Sequence, residues 1–244
     1  MQRYKLTLEY DGTCFCGYQV QPEKRTVESE LECALEKIYG TKVKTFASGR
    51  TDAKVHSLGQ VVHFDEPHEV KNDIMNTLNA FLPEDVKVVS AEKVSEEFDA
   101  RFNAKKKTYG YHFYLSRYEK PLKANRAVRV NDNLDVSKMK EACKYLVGEH
   151  DFTSFVARKS GKTNFVRTIY SAEIIDVGLN EYMFKISGNG FLYNMVRIIM
   201  GTLVKVGEGK IKPEEVKTII DAKDRQRAGK TLAPHGLYLL KVEY

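Results

Sequence analysis

The stretch YKLTLEYDG (residues 4–12) alternates strictly: Tyr4, Leu6, Leu8 and Tyr10 share one face, Lys5, Thr7 and Glu9 the other, and Asp11-Gly12 supplies a turn. A period of two marks a strand with one buried face. Working outward, Thr26 is placed to cap a helix in which Val27, Leu31, Ala34, Leu35 and Ile38 form an apolar stripe. Glu28 and Glu30 suit its positive end, and Gly40 is its stop. Strands are expected at 42–47 and 59–65, then a helix from about 70 to 81 ended by Pro83, then a strand at 86–89. The order is β-α-β-β-α-β.

The second half nearly repeats it. A strand is expected at 108–115, a helix at 136–147 closed by Gly148, and strands at 169–176 and 182–187. Helices follow at 192–206 and 213–222, the latter with Pro213 at a first helical position, and a strand at 237–244 ends the chain. Two tandem ferredoxin-like (RRM-like) βαββαβ units, an α+β fold, are the economical architecture. The polar stretch 96–107 marks the boundary, dividing the chain into residues 1–100 and 101–244. Residues 158–163, Arg-Lys-Ser-Gly-Lys-Thr, read as a second polar loop.

With 244 residues, one large or two small lobes fit, and 42% hydrophobic against 30% charged residues gives an ordinary buried core and excludes disorder. The net charge of +6 favours a polyanionic partner without proving one, and Arg101, Lys105, Lys106, Lys107, Arg117, Lys120, Lys123, Arg126 and Arg129 fall in one stretch. The chain enters its first strand at once, leaving no room for a signal peptide, and the apolar run 191–206 is broken by Asn194, Arg197 and Lys205, so no membrane span is expected. Cys14, Cys16, Cys33 and Cys143 lack zinc spacing and read as free thiols of a reducing cytoplasm. Neither a phosphate-binding loop, a nucleophile elbow nor a zinc-protease helix is present, and Gly188-Asn189-Gly190 reads as close packing.

Three stretches carry candidate chemistry. The first, ASGRTDAKVHS (residues 47–57), places Asp52 beside Arg50 and Thr51 with His56 four residues on. A turn using Asp52 and Ser48 as local acceptors explains such a composition, while a metal site with His56 and His63 lacks a further ligand. What remains is a lone carboxylate near arginine, which lowers an Asp pKa by about one to three units and suits a nucleophile or base. The second stretch, 106–114, leads from lysines into a strand with Tyr109, Tyr111 and Phe113 on one face. That suits phosphate contacts and base stacking, and equally a half-buried core strand. In the third, Arg197 lies on an apolar helix with no acid within one turn, so its partner comes from elsewhere, and Asp52 is a candidate.

SGRTDAKVHSLGQVVHF, FDARFNAKKKTYGY, GEHDFTSF, FLYNMVRIIMGTL and AKDRQRAGKTLAPHGLYLLKVEY together resemble, in order and spacing, the tRNA pseudouridine synthase A family over nearly the whole chain. The resemblance implies the pseudouridine synthase fold, two units forming a mostly antiparallel central sheet with helices packed on it. It implies isomerisation of uridine to pseudouridine at positions 38, 39 and 40 of the tRNA anticodon stem-loop, by a homodimer needing neither cofactor nor metal. By similarity Asp52 is the catalytic aspartate and Tyr109 stacks on the target base. Arg197 forms an ion pair with Asp52, and Arg50 helps to hold the displaced nucleotide. Arg101 and Lys107, in the basic stretch, are expected on the substrate. The family's usual glycine after Asp-Ala is Lys54 here, and its usual tryptophan in the opening loop is Tyr18. The competing readings are a non-catalytic RNA-binding module built on the 107–114 strand, and a small hydrolase using Asp52 and His56.

Overall fold

The computed structural model describes residues 2–70, 72–157 and 164–244. The polar loop expected at 158–163 lies outside them. The chain forms two compact units, Met1–Lys105 with Tyr238–Tyr244, and Lys106–Leu237.

In the first unit, β1 (Gln2–Tyr10), α1 (Val27–Tyr39), β2 (Phe46–Ala47), β3 (His56–Glu66), α2 (Ile74–Phe81) and β4 (Val86–Val94) follow one another. The sheet runs β4-β1-β3, with β2 also paired to β3, and all these pairings are antiparallel. This is the ferredoxin-like order that the βαββαβ sequence predicts. The last strand, β10 (Leu237–Glu243), pairs in parallel with β3 through Tyr238 and Leu239, so it packs with the first unit although the chain reaches it last.

The core follows the alternation of β1. Tyr4, Leu6, Leu8 and Tyr10 are buried against Val27, Leu31, Ala34 and Leu35 of α1, Ile74 and Leu78 of α2, and Val62 and Phe64 of β3. Tyr4 stacks on Phe64 with ring centroids 5.5 Å apart. The start of α1 is held by a capping box in which the Ser29 amide and the Thr26 hydroxyl meet at 3.3 Å, and Gly40 stops the helix at φ 67°, where other residues are strained.

The second unit carries β5 (Lys106–Leu115), β6 (Val128–Val130), α3 (Val136–Cys143), β7 (Gly148–Asp151), β8 (Val166–Gly178), β9 (Glu181–Gly188), α4 (Met195–Gly207) and α5 (Glu215–Asp221). Its sheet runs β5-β9-β8-β7 in antiparallel ladders, with β6 parallel to β5. The order β5-β9-β8 repeats β1-β3-β2 of the first unit. α4 is buried at every residue but Arg197 and Lys205, as a helix with so few polar positions must be.

Several elements depart from sequence expectation for local reasons. The strand expected at 42–47 shrinks to Phe46–Ala47, because Thr45 turns to the Glu32 carboxylate with its amide at 3.0 Å. α2 begins only at Ile74, where Asp73 caps it by accepting from the Asn76 amide at 2.9 Å. α4 begins at Met195 rather than near 192, because Asn194 sits at φ 61°, outside helical space. β6 and β7, three and four residues long, are too short to show a period.

Candidate active site

In the first unit, the loop between β2 and β3 is fastened at nearly every residue except its exposed tip. Ser48 is buried; its amide donates to the Val61 carbonyl at 2.8 Å and its hydroxyl to Gln60 Oε1 at 2.7 Å. The Gln60 amide group then donates to the Gly49 carbonyl at 2.7 Å, so one buried side chain of β3 holds two successive loop residues. Thr51 shares a 2.8 Å hydrogen bond with the Tyr10 hydroxyl and accepts the Tyr18 amide on its carbonyl at 3.0 Å. Asp52 follows, half-buried, and its carbonyl accepts from the Val55 amide at 3.2 Å to close a turn.

Lys54 occupies that turn at φ 65°, a left-handed conformation in which glycine is at ease. The family's usual glycine is thus explained by geometry. Lys54 is exposed, and its amide donates to the Phe15 carbonyl at 3.3 Å, so the conformation is held by the opening loop.

Burial pushes the Tyr10 phenol up to about 12, which keeps it a neutral hydrogen-bonding group beside Thr51. Arg50, two residues before Asp52, is exposed. Glu28, at the first turn of α1, is raised by burial, while the Val20 amide that it binds at 2.7 Å and the charge of Arg50 draw it down. His56 is 2% exposed and serves the scaffold. Its Nδ1 accepts from the Gly12 amide at 3.1 Å, Asp11 Oδ1 approaches the same nitrogen at 3.1 Å, and its ring stacks on Tyr238 at 4.5 Å.

Arg101 also belongs to the first unit, in a braced turn at 99–103. The Asp99 carboxylate accepts from the Arg101 and Phe102 amides at 2.7 and 2.8 Å. Burial raises Asp99, and these amides together with the charges of His63 and Arg3 outweigh it, leaving the group below its usual range. Ala100 is clamped: His63 Nδ1 accepts its amide at 3.0 Å, and the Tyr244 hydroxyl donates to its carbonyl at 2.7 Å.

In the second unit, Tyr109 of β5 is half-buried and meets Phe191 edge to face, with centroids 5.1 Å apart. Two residues on, Tyr111 is fully buried and donates to the Ala233 carbonyl at 2.7 Å. The strand therefore combines both sequence readings, a core aromatic at Tyr111 and Phe113 and an accessible one at Tyr109. Lys107 stands at the start of the same strand, opposite Gly188 of β9.

Arg197 is aimed by its own helix and a backbone carbonyl. Nε donates to the Leu232 carbonyl at 2.7 Å and Nη1 to Asn194 Oδ1 at 2.7 Å. The segment that carries Leu232 lies directly on α4. A Cβ on Gly201 would fall 1.9 Å from the Lys230 carbonyl, and the Gly229 amide donates to Thr202 Oγ1 at 2.8 Å. Only glycine permits that approach, and it sets the carbonyl that orients Arg197.

Comparison with known proteins decides the family. The family model described as tRNA pseudouridine synthase matches residues 7–103 and 142–244. The chain belongs to the tRNA pseudouridine synthase family. The matched stretches contain Arg50, Asp52, Arg101 and Arg197, while Lys107 and Tyr109 fall between them. Full-length relatives span that gap. The tRNA pseudouridine synthase A of an Exiguobacterium species is 46% identical over 245 residues, covering 100% of this chain and 98% of that one. The tRNA pseudouridine synthase A of Anoxybacillus flavithermus is 49% identical over 247 residues, covering 100% and 99%. Among solved structures, an archaeal box H/ACA sRNP Nop10-Cbf5 complex aligns over 82% of this chain and 42% of that chain, at 13% identity and a TM-score of 0.39. Phe102, at the tip of the 99–103 turn, escaped the sequence reading, because a lone Phe among polar residues reads as core until its exposure is known.

Proposed function

We propose that this pseudouridine synthase isomerises uridine at positions 38, 39 and 40 of the tRNA anticodon stem-loop, with Asp52 as the catalytic carboxylate and no cofactor. The observation that carries the reading is full-length similarity, at 46–49% identity, to proteins named tRNA pseudouridine synthase A. The firm anchoring of both neighbours of the Asp52 turn supports it, since a catalytic group must be held in place before the substrate arrives.

The reaction breaks the bond from C1′ of the ribose to N1 of uracil, turns the base, and joins C1′ to C5. The proton lost from C5 is balanced by the one gained at N1. No oxidant, reductant or hydrolytic water enters the balance. The glycosidic bond is out of reach while the base is stacked and paired, so the nucleotide must be displaced first. Asp52 is the carboxylate at the reacting sugar and base, Tyr109 the ring that stacks on the uracil and assists loss of the C5 proton, and Arg197 the counter-charge. Exposed Arg50 holds the displaced nucleotide, and Arg101 and Lys107 take phosphates. The enzyme works as a homodimer in the cytoplasm.

Mapping pseudouridine in unmodified tRNA incubated with the wild type and with Asp52→Asn tests this. The wild type forms pseudouridine at 38–40, whereas the variant binds tRNA and forms none. Retained turnover in the variant, or a wild type that binds without modifying, overturns the assignment, the second in favour of a non-catalytic RNA-binding module.

A further inference from the structure

The 99–103 turn displays a ring that neither the core nor the chemistry uses. Phe102 is 79% exposed, and the Arg101 guanidinium lies over it, 5.5 Å from the ring centroid. The display is rigid. Asp99 holds the two amides, and the Asn103 side chain accepts the Asp99 amide in return at 2.6 Å. Ala100 beneath is buried between His63 and Tyr244, and Arg3 binds the Glu96 and Phe98 carbonyls just upstream. Burying the ring would have been favourable, and a loose turn would have let it fold back. The turn instead spends its hydrogen bonds on keeping the ring outside, above a chain that continues through Lys105, Lys106 and Lys107. An aromatic face beside guanidinium and ammonium groups matches an unpaired nucleobase and its phosphates, and a ring fixed beforehand loses little entropy on binding.

We infer that Phe102 is a stacking platform for a nucleobase of the tRNA substrate other than the target uridine. The inference rests on the proposed function and adds a second point of contact. Its distance from the chemistry follows from β3. His56 adjoins the Asp52 loop and His63 holds the Ala100 amide, and these residues are seven apart on one strand, roughly 23 Å at 3.3 Å per residue. A base on Phe102 is therefore remote from the one at Asp52. The ring acts on binding and leaves the chemical step alone.

The test compares wild type with Phe102→Ala, Phe102→Leu and Phe102→Tyr, measuring the Kd for unmodified tRNA and the kinetics of pseudouridine formation. Loss of the aromatic face, in the Ala and Leu variants alike, weakens binding about tenfold and raises KM in step, with kcat unchanged, while Tyr retains wild-type values. The slope of log affinity against log salt stays the same, because no charge is lost. An unchanged Kd in the Ala variant overturns the inference. So does a Tyr variant as weak as Ala, or a change of oligomeric state with RNA affinity intact, which would give the ring to a protein contact. The two readings fail separately: a wild type inactive on tRNA removes the enzyme reading, while Kd alone still decides Phe102.

Discussion

The hydroxyls of Tyr10 and Thr51 lie 2.8 Å apart, a buried hydrogen bond that ties the first strand to the residue before Asp52. Tyr10 is 3% and Thr51 7% exposed, so the Thr51 hydroxyl has little access to water once the phenol is removed. Removing one partner leaves the other buried and unsatisfied, which costs about 1–3 kcal/mol. Tyr10→Phe should therefore lower the unfolding free energy by about that much and reduce kcat while tRNA affinity holds. Denaturant unfolding and single-turnover kinetics check this, and an unaltered kcat would show that Asp52 does not depend on the anchor.

Lys54 offers the opposite case, a residue whose backbone is strained where it stands. A left-handed non-glycine residue costs roughly 1–2 kcal/mol, and glycine's extra freedom in the unfolded chain returns roughly 0.5–1 of it. Lys54→Gly should stabilise the protein by about half a kcal/mol to one, raising Tm by a few degrees at most. Since the side chain is exposed and the hydrogen bond that its amide donates to the Phe15 carbonyl needs only backbone, turnover should be preserved. A lower Tm in this variant would show that the lysine side chain contributes more than its conformation costs.

The contrast between those residues shows what the chain discloses before it folds. α1 is legible because three independent signals agree on it: the Thr26 cap, the stripe from Val27 to Ile38 and the Gly40 stop. β3 is harder, since it is buried on both faces from Gly59 to Phe64, which erases the period of two and hides its start at His56. Asp52 stood out by chemistry, a lone carboxylate among arginine, hydroxyls and glycine. Its scaffold did not: Gln60 and Tyr10 lie elsewhere in the sequence and meet the loop only after β1 pairs with β3. Phe102 was invisible for the same reason, because exposure is a property of the turn and not of the residue.

Alkali provides a test of the buried phenols. Tyr10 is pushed up to about 12 by burial, whereas in the unfolded chain it ionises near 10. Below pH 10 both states keep the proton and stability is full. Between about 10 and 12 the unfolded chain binds fewer protons than the folded one, so stability falls as pH rises, by up to about 1.4 kcal/mol per pH unit for one group. Urea midpoints measured from pH 9 to 11 should decline, and more shallowly in Tyr10→Phe. A wild-type midpoint flat across that range would place the phenol in water.

Tyr18, where the family usually has tryptophan, completes the comparison. It is 1% exposed, and its hydroxyl is the one buried side-chain polar atom without a hydrogen-bond partner among the described residues. Burial, followed by the charge of Glu28, raises its phenol well above the ordinary range, and the nearby Thr45 side chain, outside hydrogen-bond geometry, lowers it by less. An unpaired buried hydroxyl is a cost with no return, and deleting it removes the desolvation penalty of about 1–3 kcal/mol against a small loss of packing. The link from Tyr18 to the Asp52 loop runs through its backbone amide to the Thr51 carbonyl, which the substitution leaves in place. Tyr18→Phe should thus be neutral to stabilising by about 1 kcal/mol with kcat unchanged, although the same atom is deleted as in Tyr10→Phe. Measured side by side, only Tyr10→Phe should lose stability, and a matching loss in both would mean that the Tyr18 hydroxyl has a partner in solution.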